Sequence, residues 1–384
     1  MKMNLRHIVC AAVFLGLLSC AGGGNAGLEE GEWTVFRGET SLSGSTALPL
    51  PRNPRLRWSA TTGVRTVASP VVRDGVAYTV SRRGLLRGVA LSDGSEVFSK
   101  DLGAFVEATP MIADGVIYVG TIDGSLLALH LPDGALLWEF ASEGQISSAP
   151  MPAGYAGEDA VLFGSYDNYL YTLRRSDGSL LSKFETGYYL NGAVAVADRY
   201  AAYGGCDQWL RVIDLEAGVQ TDSLLLDSYV PGSPVFRDGA AYVGDYGGDV
   251  YGIALEDGKI AAASKVYAAS SEQDASSVGL PAVGAKQVYF FTGGRSLACV
   301  SRKDGKRLWT TMLKGPVGES SPMECRNGVL VCTKSGIISI LDAGSGEVRW
   351  EYDAGEDILG CPAILPGGFL VVTAKGTLLC FEES

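Results

Sequence analysis

Histidine is scarce in this sequence, and its scarcity limits the chemistry that the protein can perform. Of 384 residues only two are histidines, His7 and His130, and His7 lies in the N-terminal segment. One remaining histidine is too few for a histidine-rich zinc site, and the Gly-x-Ser-x-Gly sequence that marks a common serine nucleophile is absent. His130 precedes Pro132 at a predicted strand end, where we interpret it as structural. We therefore predict no catalytic residue, no metal ligands and no cofactor.

The cysteines show no motif either, because no Cys-Cys or Cys-x-x-Cys sequence occurs. Cysteines within predicted strands are usually small apolar core residues. Their spacing does not identify a disulfide pair, so their redox state stays open. Apart from Cys10 and Cys20, the cysteines are Cys206, Cys299, Cys325, Cys332, Cys361 and Cys380.

Two further features limit the fold and the partners. Beyond the N-terminal segment no stretch shows a long 3.6-residue period, which excludes a solenoid of helix pairs. The formal net charge is −12, which disfavours nucleic acid and anionic lipid surfaces as partners.

The sequence does contain a repeat, whose units begin 40 to 47 residues apart. A fixed period in this range indicates one supersecondary unit per repeat, none of which can bury its apolar face alone. Six starts are a small residue followed by proline, and two variants fill the gaps. The starts are Ser69-Pro70, Thr109-Pro110, Ala149-Pro150, Asn191-Gly192-Ala193, Ser233-Pro234, Leu280-Pro281, Ser321-Pro322 and Cys361-Pro362.

Each unit contains four short runs of β-branched and aromatic residues, here named strands A to D. In the unit that begins at Pro110, the turns Asp114-Gly115 and Asp133-Gly134 separate these runs, and Asp-Gly is a strong hairpin signal. Four antiparallel strands in each of eight units predict an all-β fold, an eight-bladed β-propeller.

The two ends of the chain predict how the ring closes. The last unit, from Pro362 to Phe381, has strands A to C but lacks D, whereas residues 56–60 look like an isolated strand D. We expect the N-terminal strand to complete the last blade, because closure removes two exposed sheet edges. Trp58 should then pack between blades.

The units resemble the pyrroloquinoline-quinone-type propeller repeat. The residues that carry the resemblance are Asp133 to Trp138, Asp304 to Trp309 and Gly346 to Trp350. Phe98 stands in for the tryptophan in one unit, and the units near Ser182, Asp222 and Ala262 lack it. The resemblance extends from Trp33 to Phe381 and implies the fold, but enzymes and scaffolds share this repeat.

The N-terminus predicts export and lipid attachment. Lys2 and Arg6 precede an apolar run that ends in Leu18-Ser19-Cys20, which resembles a bacterial lipobox with Cys20 as the lipidated residue. The predicted segments are a signal peptide at 1–19, a flexible tether at 20–32 and the propeller at 33–384. Removal of the signal changes the net charge from −12 to −14, because two positive charges are lost. Ala21, in place of aspartate, favours the outer membrane; the side of that membrane stays open.

This architecture is similar to that of BamB-like lipoproteins, which are non-enzymatic and support outer-membrane β-barrel assembly by binding another protein. The resemblance implies a monomeric, lipid-anchored scaffold whose protein partner is a barrel-assembly component and whose only membrane contact is the lipid. Quinoprotein dehydrogenases share the repeat, but their vicinal cysteine pair is missing here. A quinone- or metal-dependent periplasmic oxidoreductase and a ligand-binding sensor domain are the alternatives.

The candidate binding residues lie in the D–A connections and B–C turns. Tyr188, Tyr189 and Tyr229 occupy successive D–A connections, where they either bind a partner or cap the blade cores. Arg65, Arg82 and Arg83 belong to a basic group around the first blade. We expect the B–C turns to divide one face into an acidic arc (Asp123, Asp167, Asp207, Asp245, Asp249) and a basic arc (Arg82, Arg83, Arg295, Lys334, Lys375).

The long connection from Val266 to Gly279 is either a binding loop or a tolerated insertion.

Overall fold

Asp-Gly pairs form several hairpins of this protein as the sequence predicts. At Asp74-Gly75 and Asp114-Gly115 both residues have positive φ, 50° and 73° in each pair. This is the backbone of a tight turn whose twist matches that of the flanking strands, and glycine adopts it without strain. The computed structural model describes residues 31–61, 65–269 and 279–384. These residues form eight antiparallel sheets of four strands, one of which gains a short parallel fifth strand.

Two strands precede the first complete blade: β1 (Ser45–Thr46) and β2 (Pro54–Thr61). Blade 1 is formed by β3 (Val71–Arg73), β4 (Val76–Val80), β5 (Leu85–Ala90) and β6 (Glu96–Asp101). Blade 2 is formed by β7 (Met111–Ala113), β8 (Val116–Gly120), β9 (Ser125–His130) and β10 (Leu136–Ala141). Blade 3 is formed by β11 (Met151–Tyr155), β12 (Glu158–Gly164), β13 (Tyr169–Arg174) and β14 (Leu180–Glu185). Blade 4 is formed by β15 (Ala195–Ala197), β16 (Tyr200–Gly204), β17 (Trp209–Asp214) and β18 (Val219–Leu225).

The second half of the ring repeats this plan. Blade 5 is formed by β19 (Val235–Arg237), β20 (Ala240–Gly244), β21 (Val250–Glu256) and β22 (Lys259–Tyr267). Blade 6 is formed by β23 (Ala282–Val283), β24 (Gln287–Thr292), β25 (Ser296–Ser301) and β26 (Arg307–Met312). Blade 7 is formed by β27 (Met323–Cys325), β28 (Gly328–Cys332), β29 (Ile337–Leu341) and β30 (Val348–Asp353). Blade 8 contains β31 (Ala363–Leu365), β32 (Gly368–Val372) and β33 (Thr377–Glu383).

Ring closure is confirmed. Strand β2 pairs antiparallel with β33 and supplies strand D of blade 8, with Trp58 opposite Cys380. Trp58 is 9% exposed and packs against the C–D turn of blade 1, where its indole N–H donates to the Leu91 carbonyl at 2.9 Å. The segment that begins the propeller therefore joins its last blade to its first.

The tryptophan of the repeat makes the same contact with the neighbouring blade in two other units. Trp138 donates to the Arg175 carbonyl of blade 3 at 2.9 Å, and Trp309 donates to the Ala343 carbonyl of blade 7 at 3.1 Å. Each ring lies over a turn glycine, and a Cβ on Gly178 would come within 2.6 Å of Trp138. Glycine is therefore required at this close approach. Trp350 of blade 7 faces blade 8, in which two different chain segments supply strands C and D, and it packs instead on Phe381 with ring centroids 5.6 Å apart.

The central channel is lined by the strands A, and an N-terminal segment crosses it. We call residues 33–48 the strap. The second residue of strand A in six blades donates its N–H to a strap carbonyl at 2.7–2.8 Å, in the order in which the blades follow one another. The pairs are Val72 with Trp33, Ile112 with Thr34, Val196 with Thr40, Phe236 with Ser41, Val283 with Ser43 and Glu324 with Gly44.

Blade 3 is passed over because its strand A has Pro152 at the equivalent position, and proline has no N–H to donate. Between Thr34 and Thr40 the strap instead forms a 3-10 turn at Phe36–Gly38. Arg37 is 1% exposed in the channel, where its guanidinium donates to the carbonyls of Pro281 and Pro322 at 3.0 and 3.1 Å. The strap thus crosses the channel, a feature that the sequence did not predict.

Candidate functional site

The D–A connections and B–C turns lie together at one end of the ring, which we call the loop face; the A–B and C–D turns form the opposite turn face. On the loop face a B–C turn N–H donates to the carbonyl of the preceding D–A connection, at 2.6–3.2 Å, in seven blades. The donor and acceptor residues in blades 1 to 5 are Arg82 and Arg65, Ile122 and Phe105, Tyr166 and Gln145, Cys206 and Tyr189, and Tyr246 and Tyr229. In blades 7 and 8 they are Lys334 and Pro316, and Ala374 and Asp357.

Five tyrosines lie at or next to these positions in blades 3 to 5. We define the tyrosine patch as Tyr166, Tyr188, Tyr189, Tyr229 and Tyr246. Tyr166 stacks on Tyr189 at 4.8 Å with the ring planes 5° apart, and the centroids of Tyr188 and Tyr189 are 4.4 Å apart. Tyr229 stacks on Tyr246 at 4.4 Å and 19°. These spacings fall at or near the short end of the range for favourable aromatic pairs.

Polar contacts fix the orientation of the rings. The Tyr166 hydroxyl donates to the Asn191 side-chain oxygen, and the Cys206 N–H donates to the Tyr189 carbonyl at 3.2 Å. Partial burial raises the pKa of Tyr229, and a hydrogen bond with the Tyr246 hydroxyl adds to this increase. The patch is therefore held in place before any partner arrives, which reduces the entropy lost on binding.

The patch remains open to solvent. Tyr188 is 49% exposed, Tyr189 39% and Tyr246 50%. Rings that serve only to cap a blade core would be covered, whereas these three are exposed. Tyrosine is enriched at interfaces because it combines apolar area with a hydroxyl and has little conformational entropy to lose.

The predicted tyrosines and arginines occupy different parts of the loop face. Tyr188 and Tyr189 contact each other in the connection to blade 4 and Tyr229 stacks on Tyr246 in blade 5, whereas Arg65, Arg82 and Arg83 lie at blade 1. Arg82 pairs with Glu107 at 2.7 Å. Arg65 also lines a groove of about 910 Å³ between blades 7, 8 and 1, with Lys334, Lys375, Glu319, Glu356 and Asp357.

The predicted acidic arc is only partly present. Asp207 pairs with Arg211 at 2.5 Å and accepts the Gly187 N–H at 2.7 Å. Burial opposes the ionisation of Asp207, but these contacts prevail and lower its pKa. Asp249 forms an ion pair with Lys265. These charges are neutralised by ion pairs within the protein and contribute little to the electrostatic field at the loop face.

Asp245 contradicts the prediction that it belongs to an exposed charged arc, because it is 0% exposed. It occupies the position held by Thr121 in blade 2 and Thr333 in blade 7, whose hydroxyls accept the N–H four residues ahead. Asp245 accepts the Asp249 N–H at 3.0 Å in the same way. Burial, supported by the Asp249 carboxylate and partly offset by that N–H, raises the pKa of Asp245.

A funnel of about 160 Å³ opens at the centre of the loop face, with Phe36 of the strap at its floor and Ser69, Thr109 and Ala193 among its walls. Small-molecule sites usually occupy 300–1,000 Å³. Because Phe36 and Arg37 lie below it, the funnel does not fit a cofactor of several fused rings. A larger cavity of about 960 Å³ lies at the turn-face mouth of the channel, lined by Thr34, Thr40 and Asp198 among others. Among residues 31–61, 65–269 and 279–384, no group of three or more His, Cys, Asp and Glu side chains could hold a metal ion.

A sequence profile of the family described as "Outer membrane protein assembly factor BamB" matches residues 50–188, 217–322 and 293–384. The chain belongs to this family. No curated protein sequence matches it. The structure of BamB from Moraxella catarrhalis superposes with a TM-score of 0.71 at 17% identity, over 86% of this chain and 97% of that one.

Two enzymes share the BamB-family fold. The quinohemoprotein alcohol dehydrogenase from Comamonas testosteroni has a TM-score of 0.74 at 12% identity, over 92% of this chain and 80% of that one. A europium-containing methanol dehydrogenase has a TM-score of 0.74 at 14% identity, over 92% and 98%. At these identities the likeness is one of fold alone, so function must be argued from the site.

Sequence reasoning missed Tyr166 and Tyr246. Both are in B–C turns, in Ser165-Tyr166-Asp167 and Asp245-Tyr246-Gly247. Tyr166 and Tyr246 occupy the same turn position in their repeats, which an alignment of the repeats would have shown. In the structure the N–H at this turn position donates to the carbonyl at the D–A position, which Tyr189 and Tyr229 occupy in blades 4 and 5. Sequence reasoning considered only the charged residues of these turns and therefore did not include the two tyrosines.

The N-terminal predictions lie mostly outside the described residues. These include the signal peptide at 1–19, Cys20 and the tether up to residue 30. Glu32, at the predicted end of the tether, pairs with Arg73 at 2.9 Å. Most of the long connection also lies outside, at residues 270–278. The six cysteines from Cys206 to Cys380 are free, and in the described part of the chain no helix could span a membrane.

Proposed function

We propose that the protein is a lipid-anchored, non-enzymatic scaffold of the bacterial envelope that binds a protein partner through the tyrosine patch. The observation that carries this proposal is the set of five partly exposed tyrosine rings on the loops of three adjacent blades, four of which form two stacked pairs. The partner is a component of outer-membrane β-barrel assembly, as the family description supports. The protein faces the periplasm from the outer membrane and acts as a monomer.

The central channel supports a scaffold rather than an oxidoreductase. In this protein the strap occupies the axis of the ring, and Arg37 is bonded to two prolyl carbonyls there. The funnel on the loop face is too small for a large cofactor. The cavity at the turn-face mouth of the channel is larger, about 960 Å³, so the purified protein must be examined for a bound group. Purification tests this step: absorbance from a bound quinone, or a stoichiometric metal, would contradict the scaffold proposal.

The binding experiment replaces Tyr189 and Tyr229 with serine in the full-length protein. We expect partner recovery in a pull-down to be lost, because both stacked pairs are broken and much of the apolar contact area is removed. The fold should persist, since these rings lie outside the blade cores. Phe105→Ser is the matched control, because Phe105 is 60% exposed at the equivalent position of blade 2. Undiminished recovery with the double variant would eliminate the patch as the binding site.

Anchorage is tested separately with Cys20→Ala. The variant should remain folded but be released from membranes, because the lipid is the only proposed attachment. If it still sediments with membranes after a high-salt wash, the lipid is not the anchor.

A further inference from the structure

The strap enters the propeller at a defined point on the turn face. Trp33 and Val72 exchange N–H to carbonyl bonds at 2.9 and 2.8 Å, beside the A–B turn of blade 1. Glu32 pairs with Arg73 at 2.9 Å. Gly31 lies next to Pro366 in the A–B turn of blade 8. The chain therefore reaches the ring at the junction of blades 8 and 1, at the end opposite the tyrosine patch.

This entry point is part of the rigid ring. Trp33 and Arg37 are almost completely buried, and strap carbonyls accept hydrogen bonds from six blades. Releasing the strap would remove the hydrogen-bond acceptors of six strand N–H groups, which opposes its release. A force or constraint on the N-terminus is thus transmitted to the whole propeller.

The chain between Cys20 and the entry point is short. Residues 21–30 can span at most ~35 Å when fully extended, and a glycine-rich chain of this length averages roughly 18 Å from end to end. A blade with strands of five or six residues is itself ~17–20 Å high before its loops are added. Turning the loop face towards the bilayer would require the tether to be almost fully stretched along the outside of a blade.

We propose that the turn face of the propeller lies against the bilayer and that the loop face, with the tyrosine patch, points away from it. This inference rests on the lipid attachment proposed above. The short tether, and not binding of the turn face to lipid, holds the turn face next to the bilayer, and the loop face is left to a partner that approaches from the aqueous side.

Two lysines allow a matched test. Lys286, in the A–B turn of blade 6, and Lys334, in the B–C turn of blade 7, are both exposed, and neither forms an ion pair among the described residues. Each is changed to cysteine in a Cys206→Ser background, because Cys206 is the one native cysteine of the described chain that is not buried. The full-length, lipidated variants are labelled with a fluorescent maleimide and inserted into liposomes that contain an acceptor-labelled phospholipid.

Energy transfer to the lipid should be about twofold or more higher from position 286 than from position 334, because the two labels differ in height by a blade of roughly 20 Å. Equal or reversed transfer, with the lipid on Cys20 verified by mass, would overturn the orientation alone. A mass without lipid would overturn the anchor and the orientation together. A long glycine-serine insertion between residues 30 and 31 should abolish the difference; a difference that persists would show that tether length does not set the orientation.

Discussion

Blades 4 and 5 can be compared directly with blades 7 and 1 on the loop face. In both regions a B–C turn N–H donates to the carbonyl of the preceding D–A connection. The residues joined are Tyr229 and Tyr246 in blade 5 but Arg65 and Arg82 in blade 1. The backbone bond fixes the loop geometry without constraining the side chains. One half of the face can therefore present aromatic rings and the other half charges, on the same architecture.

The two halves also differ in chain continuity. Blades 3 to 5 are formed by consecutive strands, whereas blade 8 combines β31–β33 with the distant strand β2. The seam of the ring therefore lies in the charged half, away from the tyrosine patch. Changes at the seam should affect stability, and changes in the patch should affect binding.

The largest effect is expected at the seam. Trp58→Ala should reduce the free energy of unfolding by about 3–5 kcal/mol, the usual cost of removing a buried aromatic side chain. Chemical denaturation measures the loss. Trp209→Ala is the control in blade 4, because Trp209 is 37% exposed and lies outside the seam, and it should cost far less. Equal stability of the wild type and Trp58→Ala would contradict closure through β2.

The next effect is expected in the patch. Tyr246→Ala should weaken partner binding by about 2 kcal/mol, the level of an interface hot spot. Lys334→Ala, at the equivalent turn position of blade 7, should leave the affinity unchanged. Titration calorimetry with the purified partner compares the two variants. A larger loss of affinity for Lys334→Ala than for Tyr246→Ala would indicate that the partner binds to the charged half instead.

Two aspartates within the patch region should respond to pH with opposite signs. The pKa of Asp207 is lowered, so its contribution to stability is present at neutral pH and is lost as the pH falls through its folded-state pKa. Asp207→Asn should therefore be less stable than the wild type at pH 7, by about 1–3 kcal/mol for the lost partner of Arg211. The difference should shrink as the solution is acidified.

For Asp245 the sign is reversed. Its raised pKa means that the folded protein holds the proton more tightly, so stability falls as the pH rises from the ordinary Asp value through the folded-state pKa. Asp245→Asn should be more stable than the wild type at pH 7, and this advantage should vanish at low pH. Denaturation curves across this range that show the same sign for both variants would refute the burial of Asp245.

The smallest effect concerns association. Reversing Arg82 and Arg83 to glutamate should slow the encounter with the partner a few-fold at low salt, because charges outside an interface act mainly on the association rate. The effect should fade at physiological ionic strength, where the Debye length is ~8 Å. Stopped-flow rates that depend on neither the substitution nor the salt concentration would exclude steering.

Sequence reasoning predicted the features that repeat. The Asp-Gly turns, the eight units and the pairing of β2 with β33 each follow from a pattern present in several copies. The strap occurs once and has no period, so nothing in the sequence predicted its route. The role of Pro152 can be recognised only in the structure, where the equivalent residues of six other blades donate their N–H groups to the strap. Asp245 was misassigned because an acidic residue in a turn is normally exposed, whereas here it replaces a buried threonine.

The central claim is that the tyrosine half of the loop face, and not the charged half, binds the partner. Site-specific photo-crosslinking in intact cells tests it most directly, with the photoreactive residue at position 189 or 246 in one set of variants and at 65 or 334 in the other. The account predicts one crosslinked partner from positions 189 and 246 and none from positions 65 and 334. Crosslinks from 65 or 334 alone, with the propeller folded, would contradict it.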